Sequence, residues 1–312
     1  MNTIRQHLTS FYKHRKVLVT GGAGFIGSHI THELVSLGAT VTVLDDLSTG
    51  NTTHIASIVH QISFIEGSIT NPLDCTTALK NIDVVFHLAA KTSVPESLEL
   101  PADYYHTNVT GTLNLLEATR NQKTIKGFVF SSSSAVYGPT LGSCSEDRNC
   151  NPTSVYGYTK YVGELLCQNY KKNYGIPTVS LRYFNVYGPR QNDLGLYSAV
   201  IPRFIYQLKR NLPLTIYGDG SQSRDFVPVS DVVQANLLIG MYTSGLSEPC
   251  FNIASNKQMT LLELIHKLRH DYPKSRSEIL FEPARPGDIL HSQADTNKYQ
   301  LFLKKRCLHE NL

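Results

Sequence analysis

Through the first half of the chain, short β-branched runs alternate with stretches whose apolar residues recur at helical spacing. Residues 17–20, 41–44, 62–65, 84–88, 128–130 and 178–181 read as strands, and 24–37, 107–118 and 156–174 as helices. The polar, basic residues 1–16 read as a short surface helix leading into the first strand. Strand–helix alternation of this kind builds a parallel sheet covered on both faces by helices. The expected class is therefore α/β with a doubly wound parallel sheet.

Beyond about Tyr187 the texture changes. Gly188, Pro189, Pro202, Pro213, Gly218, Gly220 and Pro228 punctuate shorter elements, and two helix-like stretches remain at 230–241 and 261–269. This pattern places a first lobe over residues 1–184 and a smaller mixed α/β lobe over 185–312, with 225–250 returning to the first. The last residues, Lys304 to Leu312, read as a polar tail with little to pack.

Composition narrows the function. A chain of 312 residues, 41% hydrophobic, can bury the core of one large domain or two modest ones. Its 29 Lys and Arg against 25 Asp and Glu leave a formal charge of +4, too small and too scattered for a nucleic-acid binder. The six cysteines lack the paired spacings of zinc or redox motifs, so no metal site is expected. No apolar run approaches the roughly 20 residues that span a bilayer, and the N-terminus lacks the apolar segment of a signal peptide. A cytoplasmic setting is the expectation.

The segment Gly21-Gly22-Ala23-Gly24-Phe25-Ile26-Gly27 sits between the first predicted strand and its helix. There, glycine lets the backbone turn tightly against a pyrophosphate, while the helix N-terminus offers free N–H groups. Asp45, closing the second strand, supplies a carboxylate for the ribose hydroxyls that would repel a 2′-phosphate, which favours NAD over NADP. A glycine trio alone also suits an ordinary turn, and Asp45 a solvated loop cap; the order strand, glycines, helix, strand, acid points to the cofactor.

Tyr156 and Lys160 stand four apart on a predicted helix, so they share a face. A phenol with a pKa near 10 is a poor base at neutral pH. A nearby ammonium and the charge of oxidised nicotinamide would favour its phenolate. Spacing alone equally describes a surface contact. The run Ser131-Ser132-Ser133-Ser134-Ala135-Val136-Tyr137-Gly138 lies just beyond the strand at 128–130, where α/β sheets bind ligands, although it also fits a serine-rich turn.

Together these motifs resemble the extended short-chain dehydrogenase/reductase family, over about residues 16–295. Within it, Leu44-Asp45-Asp46-Leu47-Ser48-Thr49-Gly50, His87-Leu88-Ala89-Ala90, Arg182-Tyr183-Phe184-Asn185-Val186-Tyr187-Gly188, Gly218-Asp219-Gly220 through Arg224-Asp225-Phe226 and Arg285-Pro286-Gly287-Asp288 look most like UDP-glucose and UDP-N-acetylglucosamine 4-epimerases. The resemblance implies a Rossmann-type sheet with NAD held by Gly21, Gly24, Phe25, Ile26, Gly27, Asp45, Asp46, Ser68, Ile69, Ala89, Asn108, Tyr156 and Lys160. It implies Ser133 as the hydroxyl on the sugar's O4, Tyr156 as general base and Lys160 as holder of the nicotinamide ribose. On the UDP-sugar side it implies Asn185, Arg224 and Arg285 at the pyrophosphate, Tyr217 at uracil, and Thr92, Gln191, Ala199, Asp288 and Ser292 around the sugar.

Relatives that eliminate water or carbon dioxide carry a carboxylate where this chain has Ser134 and Ala135. The resemblance therefore favours epimerisation over its alternatives, a dehydratase or decarboxylase, or a non-catalytic NAD-binding relative. Serine at 292, the family's pocket gatekeeper, leaves space for an N-acetyl group, and Gln191 and Ala199 agree. Two departures stand out: Ser68 replaces the family's adenine-side aspartate, so NAD is expected to bind less tightly, and the C-terminus looks truncated. The family's usual homodimer would use helices 107–118 and 156–174.

Overall fold

In the computed structural model, which describes residues 2–140, 142–192, 199–283 and 290–307, the expected strands pair as one parallel sheet. They are β1 (Lys16–Thr20), β2 (Thr40–Asp45), β3 (Ile62–Glu66), β4 (Val84–His87), β5 (Gly127–Ser133) and β6 (Thr178–Tyr183). The chain then adds β7 (Asn185–Tyr187), β8 (Leu214–Tyr217), β9 (Ser223–Pro228) and β10 (Cys250–Ile253), the last of which pairs with β6. The sheet order is β10-β6-β5-β4-β1-β2-β3. Strand order reverses between β1 and β4, and the crevice at their carboxyl ends is where such sheets take ligands.

The helices of the first half are α1 (Asn2–Tyr12), α2 (Phe25–Ser36), α3 (Pro72–Ala78), α4 (Val94–Glu99), α5 (Pro101–Tyr104), α6 (Gly111–Arg120) and α7 (Val155–Tyr174). A π-helical turn, Tyr105–Thr110, joins α5 to α6. The second half adds α8 (Val200–Arg210), α9 (Val229–Tyr242), α10 (Leu261–Asp271) and α11 (Asn297–Cys307). Successive strand residues point to opposite faces. Val17 and Val19 join a core that includes Ile30, Leu34, Leu238 and Phe302, whereas Leu18 joins Leu79, Leu115, Leu116 and Tyr170 on the other face. The smaller lobe pairs β9 between β7 and β11 (Gln258–Thr260), and β8 with β12 (Ile279–Glu282), around Ile201, Phe204, Ile216 and Leu264.

Two sequence expectations need correction. The serine run is not a turn beyond the strand: Ser131 to Ser133 continue β5, paired with Leu181 to Tyr183. Their hydroxyls find partners on β6 and α7, Ser131 at Tyr183 and Ser132 at Glu164, so they do not pull the backbone into a turn. Helix α1 is more than a surface helix, because Tyr12 is fully buried and its hydroxyl donates to Leu237 O in α9 at 2.7 Å. At the end of the chain, Lys304 to Arg306 are exposed as expected, while the preceding part of α11 buries Phe302 against Phe251, ring centroids 5.5 Å apart, with Tyr299 and Tyr242 alongside.

Candidate functional site

Gly21 follows β1 in a left-handed conformation (φ +70°), which a side chain disfavours. A Cβ there would lie 2.7 Å from Ala89 N, and one at Gly27 would lie 2.0 Å from Gly21 O, so the loop closes only without them. Gly24 caps α2 with no side-chain hydrogen bond, leaving the first N–H groups of that helix to a ligand. Phe25 and Ile26, half-buried, form its first turn. Bare backbone facing a helix N-terminus at the sheet's switch point fits a pyrophosphate.

Asp45 is nearly buried; its carboxylate accepts from Ala23 N at 2.8 Å and Leu47 N at 2.9 Å. Burial raises its pKa, and those two N–H bonds pull it back down. Asp46 accepts from the Ser48 N–H and hydroxyl, and its second oxygen lies 3.5 Å from Ser68 Oγ. The Ser68 hydroxyl pairs with that of Thr70 at 2.9 Å, so a carboxylate still borders the place where the family's aspartate is missing. Ile69 is buried against Gly111, where a Cβ would meet it at 2.6 Å. The residues at these four strand ends fit NAD.

Ser133, Tyr156 and Lys160 come together across β5 and α7. Any Cβ at Gly157 would lie 2.7 Å from Ala135 O, and one at Gly163 would lie 2.3 Å from Phe130 Cζ, so these glycines let α7 lie close against β5. Tyr156 and Lys160 are thereby pressed toward the end of the strand. Ser133 faces the Tyr156 phenol, whose pKa its hydroxyl lowers, and its Oγ accepts from Ala135 N at 3.2 Å. Lys160 is buried, its Nζ donating to Ser131 O at 2.9 Å and standing 6.0 Å from the Tyr156 ring centre. Desolvation brings the Lys160 ammonium down to about 8.

One electrostatic expectation fails in the protein alone. Burial raises the Tyr156 pKa, and the Ser133 hydrogen bond opposes it only in part. The Lys160 ammonium is not among the groups that lower it: its Nζ donates to Ser131 O and stands 6.0 Å from the Tyr156 ring centre. Asn108, which sequence alone could describe as a helix cap, is a buried bridge in the π turn: it bonds Lys91 N, Lys91 O and Thr159 Oγ1 at 2.8–3.0 Å.

On the other side of the crevice, Asn185, Arg224 and Ser292 gather around β9. Asn185 Nδ2 donates to Asp225 O at 3.3 Å, Arg224 Nη1 to Ser223 O at 3.0 Å, and Ser292 N to Ser223 O at 3.0 Å. Gln191 donates to Val186 O at 3.1 Å while its buried Oε1 has no partner among the described residues. Ala199 caps α8, Tyr217 lies under the Arg203 guanidinium at 5.7 Å, and Thr92 is exposed. Arg285 and Asp288 lie outside the described residues. The sequence reading missed Arg203, the Arg182–Glu164 pair and the partners of His87; only burial reveals them. It also missed Arg190, whose positive φ of 67° sets Nη1 3.2 Å from Ser28 Oγ in α2. Among the described residues no group of three His, Cys, Asp or Glu could hold a metal, and no helix is long and apolar enough to cross a membrane.

The fold and this site define a dinucleotide-dependent enzyme of the doubly wound α/β class. Residues 17–254 match the model of the NAD dependent epimerase/dehydratase family. A putative UDP-glucose 4-epimerase of Methanocaldococcus jannaschii is 38% identical over 90% of each chain. A UDP-N-acetyl-alpha-D-glucosaminuronate decarboxylase of Bacillus cytotoxicus is 36% identical, over 96% of this chain and 94% of the relative. Among solved structures, the UDP-N-acetylglucosamine 4-epimerase of Methanobrevibacter ruminantium M1, in complex with UDP-N-acetylmuramic acid, superposes with a TM-score of 0.86 at 39% identity, covering 92% and 91% of the two chains. The chain belongs to the NAD dependent epimerase/dehydratase family. It is an enzyme of the UDP-sugar 4-epimerase type, and NAD is its cofactor.

Proposed function

We propose that the chain inverts C4 of a UDP-linked hexose, interconverting UDP-GlcNAc and UDP-GalNAc, with UDP-Glc and UDP-Gal as further substrates. The observation that carries this reading is the hydroxyl pair Ser133–Tyr156 at the end of β5, followed by Ser134 and Ala135 rather than a carboxylate. In this reading Tyr156 takes the O4 proton from one epimer and returns it to the other. The Ser133 hydroxyl steadies O4, and Lys160, fixed by Ser131 O, holds the nicotinamide ribose. Bound NAD supplies the hydride acceptor and donor for C4, and its charge favours the phenolate that burial alone disfavours. Gly21, Gly24, Gly27, Asp45, Asp46 and Ala89 line the cofactor's groove, with residues 1–184 and 225–250 forming its lobe.

For the substrate, Asn185, Arg224 and Arg285 take the pyrophosphate, a task suited to guanidinium. Tyr217 packs on uracil, and Thr92, Gln191, Ala199, Asp288 and Ser292 surround the sugar. The small Ser292 side chain, and the likeness to an epimerase acting on an N-acetylated sugar, support the N-acetylhexosamine preference. The exposed Leu113 of α6 and Tyr158 and Leu165 of α7 support a homodimer through those helices. A cytoplasmic setting and a role in envelope glycan synthesis complete the proposal.

Purified protein incubated separately with UDP-GlcNAc, UDP-Glc and UDP-glucuronate, with products separated by chromatography and weighed by mass spectrometry, tests the proposal. Isomeric products of unchanged mass are expected, UDP-GalNAc foremost. The similarity to a decarboxylase over nearly the whole chain favours a competing reading, which loss of carbon dioxide from a UDP-uronate would establish. Turnover of UDP-Glc with none of UDP-GlcNAc would overturn the N-acetylhexosamine preference.

A further inference from the structure

His87 ends β4, fully enclosed, opposite Thr20 in the β1 register. Its ring packs against Phe128 and Phe130, with centroids 5.9 and 5.6 Å away. An apolar side chain would pack there as well. The two ring nitrogens are what packing does not account for. Nδ1 lies 2.7 Å from Thr20 Oγ1, and Nε2 lies 2.9 Å from Thr112 Oγ1.

The hydrogen-bond directions are determined by the partners. Thr112 gives its hydroxyl proton to Asn108 O at 2.6 Å, so its oxygen can only accept from His87. Nε2 therefore carries the ring proton, and bare Nδ1 takes the hydroxyl proton of Thr20. The Thr20 oxygen is then free to accept from Leu88 N and Ala89 N, each at 3.2 Å, in the turn that Gly21 presses against. At the other end, Asn108 Nδ2 donates to Thr159 Oγ1 at 3.0 Å, and Thr159 donates to Tyr156 O at 2.8 Å. Thr112, Asn108 and Thr159 are all buried. Every group along this path has a partner, the condition under which a buried polar network is rigid. Desolvation and the nearby Lys160 charge hold the ring neutral, with its pKa down at about 3.

We infer that His87 is a positioning residue: through Thr20 on one side and Thr112, Asn108 and Thr159 on the other, it ties the cofactor-side turn at Ala89 to the backbone carbonyl of Tyr156. The relay rests on the reading of Tyr156 as the base. It sets the height of the catalytic helix relative to the dinucleotide groove, so the phenol and the nicotinamide ride on one hydrogen-bonded frame.

The test uses His87→Leu, His87→Asn and Thr112→Val in the full chain, with and without added NAD. Amide hydrogen exchange should lose protection over residues 88–91 and in the first turn of α7 in His87→Leu, with the rest of the sheet unchanged. His87→Asn, which keeps an acceptor for Thr20, should restore residues 88–89 but not α7; Thr112→Val should loosen α7 and spare 88–89. With UDP-GlcNAc, or UDP-Glc if only that turns over, kcat of His87→Leu should fall on the order of tenfold to a hundredfold, the cost of a small misplacement at a reacting centre. KM should stay within about twofold, as for a defect confined to the transition state. The acid limb of its kcat/KM profile should move to higher pH as the phenol loses the nicotinamide charge. Wild-type protection in α7, or exchange rising uniformly across the sheet, overturns the relay. If the wild type turns over neither sugar, the proposed function fails while the exchange pattern still decides the relay; if His87→Leu does not fold, the other two variants decide it.

Discussion

The Asp45 carboxylate accepts the backbone N–H of Ala23, in the glycine loop, at 2.8 Å. With its other oxygen on Leu47 N at 2.9 Å, Asp45 shapes the cofactor groove as well as facing it. Asn at this position has one acceptor and one donor where the structure requires two acceptors. An amide N–H would then face a backbone N–H. Asp45→Asn is therefore expected to lower the stability of the cofactor-free protein by about 1–3 kcal/mol, the cost of an unsatisfied buried group. Denaturant unfolding before NAD is added checks it; an unchanged midpoint would show that Asp45 reads the ribose alone.

Gly24 and Gly27 of the loop are not equivalent. A Cβ at Gly24 would stand 3.2 Å from Gly21 O, a contact that a small shift relieves, whereas one at Gly27 would stand 2.0 Å from the same oxygen. Gly24→Ala should retain NAD with weakened affinity. Gly27→Ala should lose it and destabilise the fold. Cofactor content after gel filtration, read by absorbance, distinguishes the two; equal retention would contradict the close approach.

Much of this was legible in the chain, and what was missed has a physical reason. The strands of the first lobe and helices α7 and α9 follow from short β-branched runs and helical periodicity. The glycine loop, Asp45, Tyr156 and Lys160 announce themselves because each needs a specific residue at a specific place on those elements. The serines of β5 misled, because their turn preference is overridden by partners on β6 and α7 that no local pattern shows. Helix α8 was hidden by Pro202, which a first helical turn tolerates. The α11 stripe of Tyr299, Phe302 and Leu303 was present but masked by surrounding lysines. His87 looked like part of a motif; its role comes from Thr20 and Thr112, 67 and 25 residues away.

Tyr156→Phe removes one oxygen and nothing else. Lacking the base, the variant should lose turnover by on the order of a hundredfold or more. NAD should remain bound, since the glycine loop, Asp45 and Lys160 are untouched. Turnover at the wild-type rate would show that another group takes the proton.

Lys160 carries a pH signature. Its ammonium titrates near 8 in the folded chain and near 10.5 unfolded. Between those values the unfolded state binds more protons, so this group makes stability rise with pH across that window. Below about 8 the buried charge is a cost to the cofactor-free protein. The stability difference between wild type and Lys160→Met should therefore shift in favour of wild type as pH rises from 7.5 to 10. Urea unfolding of both proteins along that series tests it, and a flat difference would mean the ammonium is solvated.

Arg182 and Glu164 form a buried pair beneath the reacting end of β5, at 2.9 and 2.7 Å, with side chains 5% and 0% exposed. Glu164 also accepts from Ser132, beside Ser133, and Arg182 donates to the Tyr137 hydroxyl at 2.9 Å. Removing one partner strands the other charge, a loss of about 3–5 kcal/mol, whereas an apolar pair of similar volume often costs little. Glu164→Leu should thus be severely destabilised, and Arg182→Met with Glu164→Leu should recover most of the loss. Activity should not recover in parallel, because the double variant leaves the Ser132 hydroxyl without an acceptor next to Ser133, the group proposed to meet O4. Denaturant unfolding and turnover measured on the same double-mutant cycle separate the two effects. A double variant as unstable as the single one would mean that shape, not charge, holds this corner; one that regains both stability and rate would mean that the pair has no part in placing Ser133.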